Sequence, residues 1–168
     1  MWGTVLKRDL LGEVREEDKF YTEEKLREYL KSEVEKQGEN VVIQNLDVSH
    51  IEDLSWLFVG IAAGVKTLDL SGWKTSNVKD MSWMFSGCKT LESLDLSGWD
   101  VSNVKTMNDM FACCENIEYL DITDWDTSKV KNMARMFFGR PVPDEVINDK
   151  IVKRQNYVGN RIKERSSG

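Results

Sequence analysis

Three aspartates stand 26 residues apart, Asp69, Asp95 and Asp121, in Leu68-Asp69-Leu70, Leu94-Asp95-Leu96 and Leu120-Asp121-Ile122. If the aliphatic neighbours point inward from a strand, each aspartate points outward. Stacked strands lie ~4.8 Å apart. Carboxylates at that spacing repel by roughly 1 kcal/mol in water and ~3–4 kcal/mol at a protein surface. Two kinds of compensation are open. Each Asp can accept hydrogen bonds from nearby backbone or Ser/Thr groups, or the row can serve as a cation-seeking strip for Lys and Arg of a partner. Ca²⁺ bridging is disfavoured, because no further carboxylates converge on the row.

Residues that break a repeat are the next candidates. Tyr119 takes the slot of Thr67 and Ser93, beside the acidic row. Trp83 takes the slot filled by Asp109 and Arg135 in the following copies. Aromatic residues and Arg are favoured at binding hot spots. The candidate protein-binding set is therefore Asp69, Trp83, Asp95, Tyr119, Asp121 and Arg135. Trp73, Trp99 and Trp125 keep the repeat and are expected in the core, whereas the pattern leaves Trp56 open. A basic stretch from Lys150 to Arg165 reads as a solvated helix face or a second contact surface.

Catalysis has little to work with. His50 is the sole histidine and sits in the slot of Asn77 and Asn103, where a capping or surface role is expected. No zinc spacing, phosphate-cradling glycine loop or nucleophile elbow is present. The expectation is no enzyme, no metal and no cofactor. Cys88 and Cys114 share one repeat slot and are read as small buried residues, while Cys113 is out of register.

These residues are placed by a 26-residue internal repeat. Leu68-Asp69-Leu70-Ser71-Gly72-Trp73 returns as Leu94 to Trp99 and, more loosely, as Leu120 to Trp125. Met-x-x-Met-Phe follows at Met81, Met107 and Met133. A step of 27 links Leu54, Leu57 and Phe58 to the same slots, which puts a one-residue misfit in 59–66 beside Gly60 and Gly64. A fixed period in this range marks stacked units, each resting only on its neighbours. The expected architecture is an α/β repeat, a short leucine-rich-repeat solenoid of about four 26-residue units with helical caps at both ends. Within a unit, 94–96 reads as a short strand. Residues 104–111, apolar at 104, 107, 110 and 111, read as a short helix capped by Ser102 or Asn103.

The expected divisions are an N-terminal segment and capping helix over 1–40, the repeat array over 41–138, and a basic helical cap or tail over 139–168. Thr22 to Gln37 reads as a helix, with Thr22 as N-cap, acidic residues in the first turn, a stripe of Leu26, Tyr29, Leu30 and Val34, and Gly38 as the stop. Residues 1–20 hold a weaker apolar pattern, from Val5 to Val14, that reads as a short helix. The net charge of −6 argues against phosphate-backbone binding, so no direct nucleic-acid contact is expected. No apolar run is long enough to span a bilayer and no signal peptide is visible, so a cytoplasmic setting is expected, or an extracellular one if the chain is a trimmed piece. Poor capping would allow a homodimer through one end of the array.

The run Leu-Asp-Leu-Ser-Gly-Trp-Asp-x-Ser-Asn-Val-x-x-Met-x-x-Met-Phe, from Leu94 to Phe111, resembles the BspA-like leucine-rich repeat family, also known as the DUF285-type repeat of bacterial surface proteins. The resemblance spans roughly 41–138. It implies adhesion or host-protein binding, as in many members, and similar repeats occur in phage. The functional expectation is a non-enzymatic protein-binding module, intracellular, such as a phage-encoded inhibitor of a bacterial defence protein. The alternative is a fragment of a secreted adhesin that binds host proteins.

Overall fold

The computed structural model describes residues 22–139. The expected N-terminal helix before Thr22, the C-terminal helical cap and the basic stretch lie outside the described residues. The chain opens with α1 (Glu23–Gln37). Thr22 Oγ1 accepts from the Lys25 N–H, Glu23 and Glu24 lie in the positive first turn, and Gly38 ends the helix at φ 75° with its N–H on the Val34 carbonyl. Leu26, Leu30 and Val34 are buried and Tyr29 packs partly against the core, as the stripe predicts.

Three short parallel strands follow, β1 (Asn40–Val42), β2 (Thr67–Asp69) and β3 (Ser93–Asp95), in that spatial order. Val41, Leu68 and Leu94 align across them, and Tyr119 extends the column by pairing with Ser93. A second parallel column joins Asp53, Asp80, Thr106 and Asn132. Consecutive copies of the repeat therefore lie on one another. The step is 27 residues between the first two copies and 26 afterwards. Main-chain pairing keeps the longer step as far as Phe58, whose N–H reaches the Met84 carbonyl, so the extra residue falls between Phe58 and Lys66. Gly60 and Gly64 turn there at φ 76° and 88°, values open to glycine at little cost.

The expected helix over 104–111 is not formed. Asp109 has φ 54°, outside helical space. Alternate amides leave the unit: the N–H groups of Met107, Asp109 and Phe111 bond to Asn132, Ala134 and Met136 carbonyls one copy along. What remains inside the unit are isolated turns, such as Ala112 N–H on the Asp109 carbonyl. Successive corners turn 104, 107, 110 and 111 inward and thereby imitate helical spacing. Ser102 and Asn103 cap no helix: the Ser102 N–H bonds to Asp100 Oδ1, and Asn103 Nδ2 donates to the Ser76 carbonyl.

Equivalent core residues touch across copies. Phe58, Phe85, Phe111 and Phe137 form a continuous stack with centroids 5.1, 5.6 and 5.4 Å apart. Trp73 and Trp99 stack at 5.5 Å, and Trp73, Trp99 and Trp125 are all buried. Their indole polarity is met by the preceding copy: Trp73 Nε1 donates to the Ile43 carbonyl at 2.6 Å and Trp99 Nε1 to the Leu70 carbonyl at 2.8 Å. Cys88 and Cys114 are buried as expected, with Cys114 Sγ donating to the Phe85 carbonyl, and burial pushes the Cys88 thiol up to about 12.

α1 closes the first copy. Arg27 donates to the Trp56 and Leu57 carbonyls at 2.7 Å and to the Val59 carbonyl at 2.6 Å. Gln37 accepts from the Val42 N–H and donates to its carbonyl, occupying the free edge of β1 as a neighbouring strand would. Arg27→Ala removes three charge-assisted bonds and leaves a guanidinium-sized gap over those carbonyls. The expected loss is about 2–3 kcal/mol by urea unfolding. Arg27→Lys recovers less than half of it, because an ammonium cannot fork across three acceptors.

A buried corner gives a pH signature. Asp47 is 4% exposed and takes bonds from the Ser49 hydroxyl and N–H and from Lys74. Burial pushes its carboxyl up, but the Ser49 and Lys74 bonds together outweigh that and bring it down from 3.8 to about 2. A depressed carboxyl stabilises the fold fully above its unfolded value and stops doing so as pH falls through its folded value. The urea midpoint of the native chain should fall steeply from pH 4 towards 2, and Asp47→Asn should flatten that part of the curve.

Candidate binding surface

The strand column presents the acidic row. Asp69 and Asp95 are half-buried and Asp121 is exposed. Each Oδ1 accepts the N–H two residues on, from Ser71, Ser97 and Thr123, at 2.8–3.0 Å. The Thr123 hydroxyl adds a second bond to Asp121, and Gln44 Nε2 occupies Asp69 Oδ2 at 2.6 Å. The local compensation foreseen for the row is thus present in every copy. It fills both oxygens of Asp69 but engages only Oδ1 of Asp95 and Asp121 among the described residues.

Asp95 and Asp121 face a cleft of about 470 Å³ at the last strand pairing, with Tyr119 at its rim. Tyr119 is 59% exposed, the most open large hydrophobic side chain among the described residues. Asp100 and Asp124 line the same cleft over a floor that includes Trp99 and Trp125. Neither was in the expected set. Asp124 had a visible signal, since it replaces the glycine of slots 72 and 98; Asp100 had none. The Ser102 hydroxyl and N–H hold the Asp100 carboxyl below its usual range, and the Thr123 N–H and hydroxyl do the same for Asp121. These two carboxylates therefore stay ionised in mildly acidic solution.

Trp83 and Arg135 lie together on another column, the one the sequence assigned to a helix. Trp56, Trp83, Asp109 and Arg135 all hold left-handed backbone, φ 54–61°. That conformation is costly for large residues. It aims successive side chains along one line. Trp56 and Trp83 are parallel within 4°, with centroids 4.8 Å apart. The short, buried Asp109 leaves room for Arg135 to reach over it: the guanidinium lies 5.8 Å from the Trp83 ring and 4.8 Å from Phe138. Arg135 Nε also sits 2.9 Å from Asp109 Oδ1, close enough for an ion pair but off the hydrogen-bonding direction, so that oxygen has no aligned donor. Trp56 and Phe138 join this column as half-exposed members. Trp56 shared its slot with Trp83, a signal the repeat did carry.

The six expected residues thus divide into two groups: Asp95, Tyr119 and Asp121 at the cleft with Asp69 further along the same row, and Trp83 with Arg135 on the left-handed column. His50 is exposed, while its slot partners Asn77 and Asn103 donate to the carbonyls of Ser49 and Ser76. Among the described residues no group of three His, Cys, Asp or Glu is placed to hold a metal ion, and no helix is long and apolar enough to cross a membrane.

Stacked short units with parallel pairing and repeated aromatic columns define a repeat protein. The family described as "Mycoplasma protein of unknown function, DUF285" matches residues 25–150, three quarters of the chain, and the protein belongs to that family. No curated protein and no solved structure matches it.

Arg135→Ala leaves the buried Asp109 carboxylate without a cation and strips the guanidinium from two rings. A loss of about 1–3 kcal/mol in urea unfolding is expected. Adding Asp109→Asn to it should recover a good part, since the unpaired charge is then gone.

Proposed function

We propose that the chain is a non-enzymatic protein-binding module, a short leucine-rich-repeat solenoid whose strand-face cleft takes Lys or Arg side chains of a protein partner. One observation carries this reading: Asp95, Asp100, Asp121 and Asp124 converge on one cleft beside the open ring of Tyr119. Carboxylates attract the partner and set its register, while an exposed tyrosine adds rigid contact area at low entropic cost. The parallel stack supports it, because cleft residues from successive copies are held by their own turn bonds before any partner arrives. The net charge of −6 favours encounter with a basic surface.

The test is calorimetric titration with a lysine-rich peptide. Tyr119→Ala/Asp121→Asn should weaken binding about tenfold or more while leaving the urea midpoint nearly unchanged. Affinity should fall with added salt, hold steady from pH 8 to 5, and decline below about pH 4 as the carboxylates protonate. Equal affinity for the native chain and the double variant would reject the cleft.

A further inference from the structure

The cleft lies where the main-chain ladder comes apart. At the first two junctions between copies, the pairing runs on past the strands. The N–H groups of Ile43 and Asn45 meet the carbonyls of Asp69 and Ser71, and those of Leu70 and Gly72 meet Asp95 and Ser97. At the third junction this series ends at Leu94, whose N–H takes the Tyr119 carbonyl. The next two amides in the series, Leu96 and Gly98, have no acceptor among the described residues. Ser97 and Gly98 are exposed, where Ser71 and Gly72 are half-buried. The far side of the same two copies stays closed: Met107, Asp109 and Phe111 all donate across it, and Phe111 stacks on Phe137. Copies three and four therefore form a wedge, joined along the phenylalanine column and open at the strand face.

A buried donor faces the same gap. Trp125 is 6% exposed and lines the cleft. The indoles of Trp73 and Trp99 donate to carbonyls of the preceding copy, but that of Trp125 has no acceptor among the described residues. A donor left so costs free energy that a ligand's acceptor would return. Asp124 supplies the physical cause of the opening. In its slot Gly72 and Gly98 hold left-handed backbone, φ 72° and 80°, and their corners nest so closely that a Cβ on Gly98 would stand 3.4 Å from the Gly72 Cα. Asp124 carries a Cβ and does not share that left-handed conformation, so the fourth corner cannot nest on the third in the same way.

We propose that this wedge is a slot for an extended, lysine- or arginine-bearing segment of the partner protein, whose main-chain carbonyls accept from Leu96 and Gly98 in place of the fourth copy. The proposal rests on the binding role given to the cleft above, and adds that the partner must offer a length of backbone as well as a cation. The earlier junctions show the pattern that fits, two carbonyls two residues apart. Main-chain bonds of this kind supply affinity, while side chains set specificity. Here the cationic side chains meet Asp95, Asp100, Asp121 and Asp124, and a further carbonyl of the segment satisfies the Trp125 indole.

The experiment follows the ¹⁵N-labelled full chain by NMR, reading hydrogen exchange at the Leu96 and Gly98 amides and the position of the Trp125 indole signal. The probes are a capped Thr-Lys-Thr-Lys-Thr-Lys peptide and spermine, a polycation without carbonyls. The peptide should slow both amides about tenfold or more and move the indole signal, whereas spermine should bind without slowing either amide. Asp124→Gly should close the slot: both amides slow with no peptide present, and peptide affinity falls about tenfold. Asp124→Ser loses the same carboxylate but keeps a Cβ, so both amides should stay fast and affinity fall by about threefold at most. Peptide binding that leaves both amides exchanging freely overturns the slot while the acidic cleft stands, and failure of both probes to bind overturns the two together. Amides already slow in the native chain alone would give the slot to another part of the same chain and also overturn it. The native-chain result decides even if Asp124→Gly does not fold.

Discussion

In-register stacking is the constraint from which the rest follows. A short unit cannot satisfy its own amides, so N–H groups of one copy must meet carbonyls of the next at a fixed offset. Once that offset is set, like must lie over like. Phe58, Phe85, Phe111 and Phe137 stack because the register puts one slot over another. The buried tryptophans repeat for the same reason, and the indole N–H groups of Trp73 and Trp99 each use a carbonyl of the copy before. Aspartates initiate corners copy after copy because a side-chain oxygen two residues back can hold an amide the register leaves free. The closing helix answers the same requirement at the first copy, where Arg27 and Gln37 replace a missing neighbour's backbone.

That constraint also sets what the sequence made legible. Period, copy boundaries, core tryptophans, the capping helix with Thr22 and Gly38, and the place of the extra residue were all readable, because each is a statement about recurrence or a local stop signal. The segment 104–111 was misread because spacing records which residues point inward and not how the backbone takes them there. A helix and a chain of tight corners give the same inward set at 104, 107, 110 and 111. Only the amide partners, one copy away, tell them apart.

The candidate surface was legible in part for related reasons. Repeat-breaking residues marked Tyr119, Trp83 and Arg135, and the first is indeed the most open aromatic ring among the described residues. The acidic row was visible as a row, but not the unequal occupancy of its members. Gln44 reaches Asp69 from outside the motif, and Asp100 enters the cleft from the next corner. Neither relation has a period to betray it. Trp56 stayed ambiguous because exposure depends on what lies beyond the end of a column.

The left-handed slot has a further consequence. In the first three copies its amide bonds to a carbonyl of the next copy, and the four copies fill it with Trp, Trp, Asp and Arg without disturbing the stacked phenylalanines two residues on. The core thus writes the same word in every line, while this slot offers one free letter per line. A lineage of such chains could rewrite its outward message by point mutation or by duplicating a line, at a stability cost set within the slot itself, as where Arg135 lies over Asp109, with the phenylalanine stack left in place.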